Sequence, residues 1–238
     1  MLREINKKQI ILENRKPYKS GVAEYIQEIN MIDWITSSLR LTGSTLSRND
    51  IQKILKGEFI ANASLAAHAD IERYRDLINT VSDMLAMSYT FSKDMVNIFQ
   101  KKLTGKNSVT YRKDNPVLVS LGYNPPHPAD IEEQIDLLMN WFYTEDKEND
   151  IIRKAATLHH RIIEIYPFDV YSEDVARASM YYYLMEKGYP AFELSYSEQE
   201  YNTAIIEYLK KGDAGPFCSG IERSLYNKME LLIRLTAE

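Results

Sequence analysis

The sequence lacks several features that define whole classes of protein. It has one cysteine, Cys218, in 238 residues, so an internal disulfide is excluded and a reducing, cytoplasmic setting is expected. No stretch approaches the roughly 18–20 apolar residues that a transmembrane helix requires. The charged N-terminus also has no apolar core of the kind found in a secretory signal. Neither a membrane span nor a membrane partner is therefore expected.

The sequence also lacks an excess of positive charge. It has 29 Lys and Arg against 34 Asp and Glu, and the net charge of −5 argues against a protein dedicated to nucleic acid. No internal repeat, low-complexity tract or domain-dividing linker interrupts the chain. With 45% hydrophobic residues, it has the composition of an ordinary globular protein with enough chain for a sizeable core.

The chain does contain a succession of helical patterns. Residues 1–20 are polar and charged, which predicts an irregular N-terminal segment ahead of one helical domain at 21–238. Beyond residue 20, apolar residues recur at helical spacing, and Ser, Pro and Gly stand where helices should begin and end. An acidic linker, TEDKEND, occupies 144–150. The predicted helices span residues 21–41, 47–55, 64–87, 92–105, 128–143, 150–165, 173–187, 197–210 and 216–235.

Residues 105–126 interrupt this succession and predict a small β-hairpin among the helices. Residues 108–111 have strand character, Asn115-Pro116 indicates a turn, and residues 117–119 resume the strand pattern. An exposed strand edge can bind an extended peptide through main-chain hydrogen bonds, and a purely structural hairpin is the alternative. The fold class predicted by these patterns is all-α with one hairpin insertion.

The stretch from Ala155 to Arg177 predicts a helix, a short loop and the start of a second helix. Pro167 ends the first helix, and the residue before it, Tyr166, should have extended geometry. Ser172 is the expected N-cap of the second helix. A loop that leads into a helix N-terminus often binds an anion, because free N–H groups and the helix dipole meet there. Here the first turn carries two carboxylates, which oppose that use.

Four pieces of the chain stand in a fixed order: the helix end at Ser38–Ser47, the flap with Tyr111-Arg112 and Pro125-Pro126, the segment Ala155–Phe168, and Gly188-Tyr189-Pro190 followed by Tyr201. Together they resemble the Fic (Fido) family across about residues 20–212. The resemblance implies a helical Fido fold with a β-hairpin flap. It also implies Mg²⁺-dependent transfer of AMP from ATP to a Ser, Thr or Tyr hydroxyl of a target protein.

The family motif is His-Pro-Phe-x-Asp/Glu-Gly-Asn-Gly-Arg-x-x-Arg, and this chain departs from it at most positions. Tyr166 replaces the catalytic base, and a phenol with a pKa of about 10 is a poor base at neutral pH. A buried aromatic residue on a turn is the alternative for this position. Val170 replaces the Mg²⁺ ligand, although Asp169 beside it is a candidate metal ligand after a loop shift. Asp174 replaces a phosphate-binding Arg and so reverses a charge.

The remaining motif residues have a structural alternative as well. Arg177, which the motif retains, is either a phosphate ligand or the ion-pair partner of Glu173 or Asp174. The segment that binds nucleotide phosphates in the family corresponds here to Ser172, Glu173, Asp174 and Arg177, and it is expected to form a self-capped turn. Asp169 together with Glu173 and Asp174 forms either a cation site or a solvated acidic helix start.

The resemblance also assigns roles outside the motif. A flap holds the target segment in the family, and an inhibitory segment carries a Glu that pairs with the second motif Arg. In this chain a Thr stands where that Glu would be. The flap residues are Val109, Thr110, Tyr111 and Arg112, and the residues at the inhibitory position are Ser38, Thr42 and Gly43.

Two adjacent histidines, His159 and His160, precede the motif. Neighbouring residues on a helix point about 100° apart, so these two are not expected to share a metal. His159 is expected to be a hydrogen-bonded core residue.

Two functional hypotheses follow. The first is a degenerate Fic-like protein, impaired in AMP transfer, that acts in binding, regulation or signalling through a target segment at the flap or another small ligand. The second is an active nucleotidyl- or phosphate-group transferase that uses Asp169 or Glu173 for the metal and Tyr166 or a target group in place of the base. ATP and Mg²⁺ are cofactors only under the second hypothesis. Either is compatible with a homo-oligomer.

Overall fold

The computed structural model describes residues 1–144 and 150–237, within which the chain forms ten α-helices and one short 3-10 turn. Most of the predicted acidic linker, residues 145–149, lies outside the described residues. None of the described helices has the length and apolarity needed to cross a bilayer. The helices are α1 (Leu2–Asn14), α2 (Ser20–Leu41), α3 (Arg48–Leu55), α4 (Leu65–Ala86), α5 (Lys93–Thr104), α6 (Ile131–Thr144), α7 (Ile151–Ile165), α8 (Ser172–Glu186), α9 (Glu198–Lys211) and α10 (Gly215–Leu235), and the 3-10 turn is Pro128–Asp130.

The helix boundaries follow the capping signals in the sequence, and the predicted all-α class is confirmed. The hydroxyls of Ser47 and Ser197 each accept a hydrogen bond from the N–H three residues later. The carboxylates of Asp50 and Glu200 accept from the cap N–H groups in return, which satisfies two otherwise unpaired donors at each helix start. α5 ends at Gly105, whose φ of 67° is the left-handed conformation that glycine adopts without steric cost.

The N-terminal segment, predicted to be irregular, is the helix α1. Its buried residues Ile5 and Leu12 lie seven positions apart, on one face of the helix, and this face packs against α10. The partly buried Lys8 pairs with Glu230 at the same contact. The prediction was wrong because the high charge of residues 1–20 masked a short apolar stripe with helical spacing.

The predicted β-hairpin at 105–126, called the flap segment below, does not form strands. Between α5 and the 3-10 turn, where every residue is described, the structure contains one isolated antiparallel bridge between Leu118 and Tyr123. The backbone N–H of Arg112 donates instead to the carbonyl of Pro167 at 3.0 Å. Of the apolar residues that resembled strand residues in the sequence, Val109, Tyr111 and Leu118 pack against the helical core, whereas Val117 and Val119 are exposed. The alternating pattern therefore reflects partial burial and not cross-strand pairing.

α7 and α8 form the centre of the molecule. Ten of the 15 residues of α7 and 12 of the 15 residues of α8 are buried, so both helices are covered on nearly all sides. α8 also packs against α4 and α5, and α7 against α6, α9 and α10. The loop at residues 166–171, called the motif loop below, connects these two helices. Its position is therefore determined by the core.

A buried ion pair connects α2 to α10. Lys228 on α10 lies with its Nζ 2.7 Å from Asp33 on α2, and both side chains are at most 9% exposed. Burial lowers the pKa of Lys228, while Asp33 raises it. Arg48 on α3 pairs with the second oxygen of Asp33, so one carboxylate joins three helices.

Replacement of Asp33 by Ala should lower the free energy of unfolding by about 3–5 kcal/mol, because it leaves the Lys228 ammonium buried without its partner. The double variant Asp33→Ala, Lys228→Met should recover part of that loss, since no unpaired charge then remains in the core. Urea denaturation of the two variants and the parent chain measures both effects. An equal loss in the single and double variants would contradict this account.

Candidate functional site

A cavity of about 240 Å³ opens where the motif loop meets the N-terminal end of α8. Of the described residues, its wall includes three carboxylates and two tyrosines but no Lys, Arg or His. The electrostatic potential of such a wall is unfavourable for a triphosphate. The lining residues are Leu41, Thr42, Ser120, Tyr166, Tyr171, Ser172, Glu173, Asp174, Glu198 and Asn202.

Tyr166 ends α7 in the left-handed conformation, with φ 46° and ψ 62°, and is not extended as predicted. Its N–H donates to the carbonyl of Ile162 at 2.9 Å, and its own carbonyl accepts from Arg112 Nε at 2.7 Å. These bonds close the helix end and override the usual preference of a residue before proline. Burial, with a smaller effect of nearby carboxylates, raises the pKa of Tyr166 to about 12. At neutral pH this phenol is therefore even more fully protonated than that of an ordinary tyrosine, and so less available as a base.

Tyr171 stands at a motif glycine and keeps a glycine-like backbone, with φ 65°. A left-handed residue with a side chain costs about 1–2 kcal/mol, and the bond from the phenol to Asp70 at 3.0 Å helps to hold it. Tyr171, and not Ser172 as predicted, is the N-cap of α8. The Ser172 hydroxyl instead accepts from the N–H of Phe168 and donates to its carbonyl, both at 2.9 Å, which closes the motif loop on itself.

Arg177 is fully buried, and its guanidinium is occupied by neighbouring side chains. Nη2 pairs with Asp174, and Nη1 donates to the Tyr201 hydroxyl at 3.0 Å and lies 3.8 Å from Glu173. Asp174 also accepts a hydrogen bond from Tyr74. Burial disfavours the charged form, but the carboxylates and phenols around it hold the pKa of Arg177 well above its usual value. The structure therefore has the ion pair that the sequence offered as the alternative to a phosphate ligand.

A hydrogen-bond chain continues from Arg177 into the core. The Tyr201 hydroxyl lies 2.8 Å from His159 Nε2, and His159 Nδ1 lies 3.3 Å from His160 Nδ1. With Arg177 donating to the Tyr201 oxygen, the Tyr201 hydroxyl donates to His159 Nε2 and His159 Nδ1 donates to His160 Nδ1, an assignment that leaves His160 Nε2 without a partner among the described residues. The two rings therefore meet, although their helix positions predicted divergence. Burial lowers the pKa of His159 well below its ordinary value and that of His160 to about 3.

Arg112 connects the flap segment to the motif loop and is not exposed to a target. Its side chain is buried and forms no salt bridge with a described residue, so its charge is stabilised chiefly by carbonyl oxygens, two of them at the C-terminal end of α7, with a further attraction from Asp169. Of the four predicted flap residues, Thr110 alone is exposed, while Val109 and Tyr111 are half-buried. The acceptors of the Arg112 guanidinium are the carbonyls of Tyr166 (2.7 Å), Ile165 (3.3 Å), Asp114 (3.1 Å) and Pro126 and the side-chain oxygen of Asn115 (2.7 Å).

The other predicted residues divide between the cavity and its surroundings. Thr42 lines the cavity and donates its hydroxyl to the carbonyl of Leu39 at 3.0 Å. Ser38 is buried, and Gly43 is exposed with φ 85°. Asp169, the predicted metal ligand, is exposed and lies outside the cavity wall. Within residues 1–144 and 150–237, no three or more His, Cys, Asp or Glu side chains are arranged to hold a metal ion.

Three cavity residues were missed in the sequence: Ser120, Glu198 and Asn202. Ser120 belongs to the flap segment, and the other two belong to the first turns of α9, which the motif does not include. Burial raises the pKa of Glu173; Arg177 opposes this shift, while Asp174 and Glu198 add to it. A capping box predicts that Glu198 is an early residue of α9, but only the tertiary structure places it beside Glu173.

ATP and Mg²⁺ do not fit these residues. The retained motif cation, Arg177, is 0% exposed and already paired. At about 4 Å and an effective dielectric constant of about 20, each pair of like unit charges costs about 4 kcal/mol, so the carboxylates of the wall would repel a triphosphate strongly. Val170, at the metal-ligand position, has an apolar side chain and cannot bind a cation.

Comparisons with known proteins agree with this fold. The sequence model of the Fic/DOC family matches residues 89–184. The chain is 22% identical to "Protein adenylyltransferase Fic" of Nematostella vectensis, over 89% of this chain and 49% of that protein. It is also 22% identical to the protein of the same name from Culex quinquefasciatus, over 98% and 48%. The chain thus spans about half the length of these curated relatives.

Solved structures share the architecture over nearly the whole chain. A Fic domain containing signaling protein from Bacteroides thetaiotaomicron superposes with a TM-score of 0.88 at 18% identity, covering 98% of this chain and 97% of that one. Fic-1 from C. elegans superposes with a TM-score of 0.82 at 19% identity, covering 98% and 70%. These likenesses show that the chain has the Fic fold.

Asp174→Asn and Glu173→Gln form a matched pair of variants, since each removes one negative charge from adjacent residues of α8. Asp174→Asn should destabilise the protein by about 3–5 kcal/mol, because Arg177 then lies in the core without its carboxylate. Glu173→Gln should change stability little or raise it, because Glu173 is partly exposed and repelled by two carboxylates. Thermal or urea unfolding measures both, and similar losses would argue against the assigned pairing.

The histidine pair predicts a dependence of stability on pH. Both pKa values are lower in the folded state than the unfolded value of about 6.5, so the unfolded state binds more protons and stability falls as the pH falls below about 6.5. Each histidine contributes about 1.4 kcal/mol per pH unit until the pH approaches its folded pKa. His160→Phe should reduce the slope of unfolding free energy between pH 6 and 4 by about this amount. The control is His127→Gln at an exposed site, and an unchanged slope in His160→Phe would refute the assignment.

Proposed function

Because residues 89–184 match the Fic/DOC family model and the chain has the Fic fold, we propose that it is a Fic-family protein which binds a protein segment at the motif cavity and does not carry out ordinary AMP transfer. The observation that carries this proposal is the charge of the cavity. Three carboxylates line it, no described cation does, and Arg177 is sequestered behind Asp174. The negative charge of the cavity therefore disfavours binding of a nucleoside triphosphate but does not disfavour a neutral or cationic group.

The chemistry at the base and metal positions supports the same proposal. A general base works best when its pKa lies near the operating pH, and the Tyr166 phenol has a pKa of about 12. Val170 is 52% exposed and offers no oxygen to a metal, and Asp169 lies outside the cavity wall. A transferase that used these groups would need to rearrange a loop that Arg112 and Ser172 hold by four hydrogen bonds, two from Arg112 to the carbonyls of Tyr166 and Pro167 and two between Ser172 and Phe168.

The size and position of the cleft support binding of a segment. A second cavity of about 490 Å³ shares Ser120, Glu198 and Asn202 with the motif cavity, so the two form one cleft between the flap segment and α9. This combined space, called the acidic cleft below, is open to solvent, and its walls are formed by the flap segment, the motif loop and α9. The relatives are named protein adenylyltransferases. From that name we infer that this chain also recognises a protein, but we do not infer that it transfers a nucleotide.

The proposal predicts that the purified chain, incubated with labelled ATP, Mg²⁺ or Mn²⁺ and a cell lysate, labels no protein above the control without the chain. Calorimetric titration with ATP and Mg²⁺ should show no heat of binding, because the cavity repels the triphosphate. Labelled bands that disappear in Tyr166→Phe would overturn the proposal in favour of a transferase with altered chemistry. Tyr166→Phe is the suitable variant because Arg177→Ala would disrupt the buried ion pair and the fold with it.

A further inference from the structure

Resting on this proposed binding role, we infer that the bound protein segment inserts a Lys or Arg side chain into the acidic cleft and places apolar residues on exposed valines beside it. The valine surface consists of Val117 and Val119 in the flap segment and Val170 in the motif loop. The cleft and the valine surface are contiguous along the chain, since Val119 precedes Ser120 and Val170 precedes Tyr171, and both following residues line the cleft.

The distribution of charge in the cleft selects a cation. Asp174 is neutralised by Arg177, but Glu173 lies 3.8 Å from that same guanidinium and shares it. Two carboxylates thus face one cation, and Glu198 adds a third negative charge from α9. A Lys or Arg side chain between Glu173 and Glu198 would neutralise this excess in a site partly shielded from water, where charge pairs are stronger than on an open surface.

Aromatic rings in the same wall favour an organic cation over a simple metal ion. Tyr166 and Tyr171 both line the cavity, and their rings can lie against an ammonium or guanidinium group by cation–π interaction. The Tyr171 phenol is bonded to Asp70 at 3.0 Å, which fixes its ring. A Lys or Arg side chain also has an apolar stem, and this stem can pack against the aromatic rings in the cavity wall.

The valine surface indicates that the cation belongs to a protein segment and is not a free small molecule. Val117 is 74% exposed and Val119 is 82% exposed, whereas Leu118 between them packs against the core. Large apolar side chains exposed next to a polar cleft are typical of an interaction site. The segment would bury these side chains while its basic residue enters the cleft.

The backbone of the flap segment provides a third element of recognition. Within the described parts of the chain, the backbone N–H groups of residues 113–115 and 117 have no backbone acceptor, whereas Leu118 is paired with Tyr123. A stretch of free donors next to a cleft is a surface on which an extended peptide can add main-chain hydrogen bonds. Charge, apolar contact and backbone donors therefore point to the same kind of partner: an extended segment with one basic residue flanked by apolar ones.

The test is a positional-scanning library of octapeptides bound to the purified full chain. We expect one position to select Lys or Arg over Glu by roughly tenfold or more, since exchanging attraction for repulsion in the cleft is worth over 1.4 kcal/mol. The double variant Glu173→Gln, Glu198→Gln should reduce this selection to about threefold or less. Glu133→Gln, an exposed carboxylate on α6 outside the cleft, is the matched control and should leave selection unchanged.

A second variant separates the two parts of the surface. Val119→Ser should weaken binding of all selected peptides by about threefold to tenfold, through lost apolar contact, without altering their preference for Lys or Arg. Circular dichroism confirms that each variant is folded. Peptides that bind without any basic preference would overturn this inference and leave the proposed binding role intact. Labelling by ATP would overturn the proposed role itself, and binding of spermine without any peptide would overturn the inference of a protein segment.

Discussion

The burial of Arg177 is the constraint on which the rest of the site depends. A guanidinium remains charged in a protein core, so a group that compensates its charge must lie beside it. Asp174 provides this charge from the preceding turn of the same helix, and Tyr201 accepts a further hydrogen bond from α9. Because α8 begins only two residues before Asp174, the required carboxylate lies at the helix end that would otherwise attract an anion.

Stability and phosphate binding therefore compete for the same turn of helix. Glu173 and Asp174 complement the positive end of the α8 dipole, which stabilises the helix by a few tenths to about 1 kcal/mol each. The same charges repel a triphosphate by several times that amount. An anion site at this helix end requires that the buried Arg177 find its compensation elsewhere. In this chain it does not, because the only other carboxylate that the described residues place beside the guanidinium, Glu173, lies on the same turn, and Tyr201 is neutral.

The sequence predicted those features that depend on neighbours along the chain. Apolar spacing together with capping residues predicted nine of the ten described helices, and alignment with the family motif identified Tyr166, Glu173 and Asp174 before their cavity was seen. The prediction from sequence failed where tertiary contacts determine the local structure. α1 forms because α10 covers two apolar residues, and the flap segment stays irregular because Arg112 takes acceptors from three different stretches of the chain. Glu198 joins the site only through the packing of α9, which no local pattern encodes.

The motif loop shows why the fold can persist when the chemistry of its site is changed. Tyr171 retains the left-handed backbone expected of a glycine, at an energetic cost that glycine would avoid. The path of this loop is thus imposed by contacts on both sides: the bonds of Arg112 to the end of α7, and those of Ser172 to Phe168. Of the residues at nucleotide-binding positions, Ser172 alone takes part in these contacts, and the charged residues Glu173 and Asp174 do not. The shape of the cavity is therefore kept when the charge of its wall changes. The sign of that charge determines which class of ligand the cavity accepts.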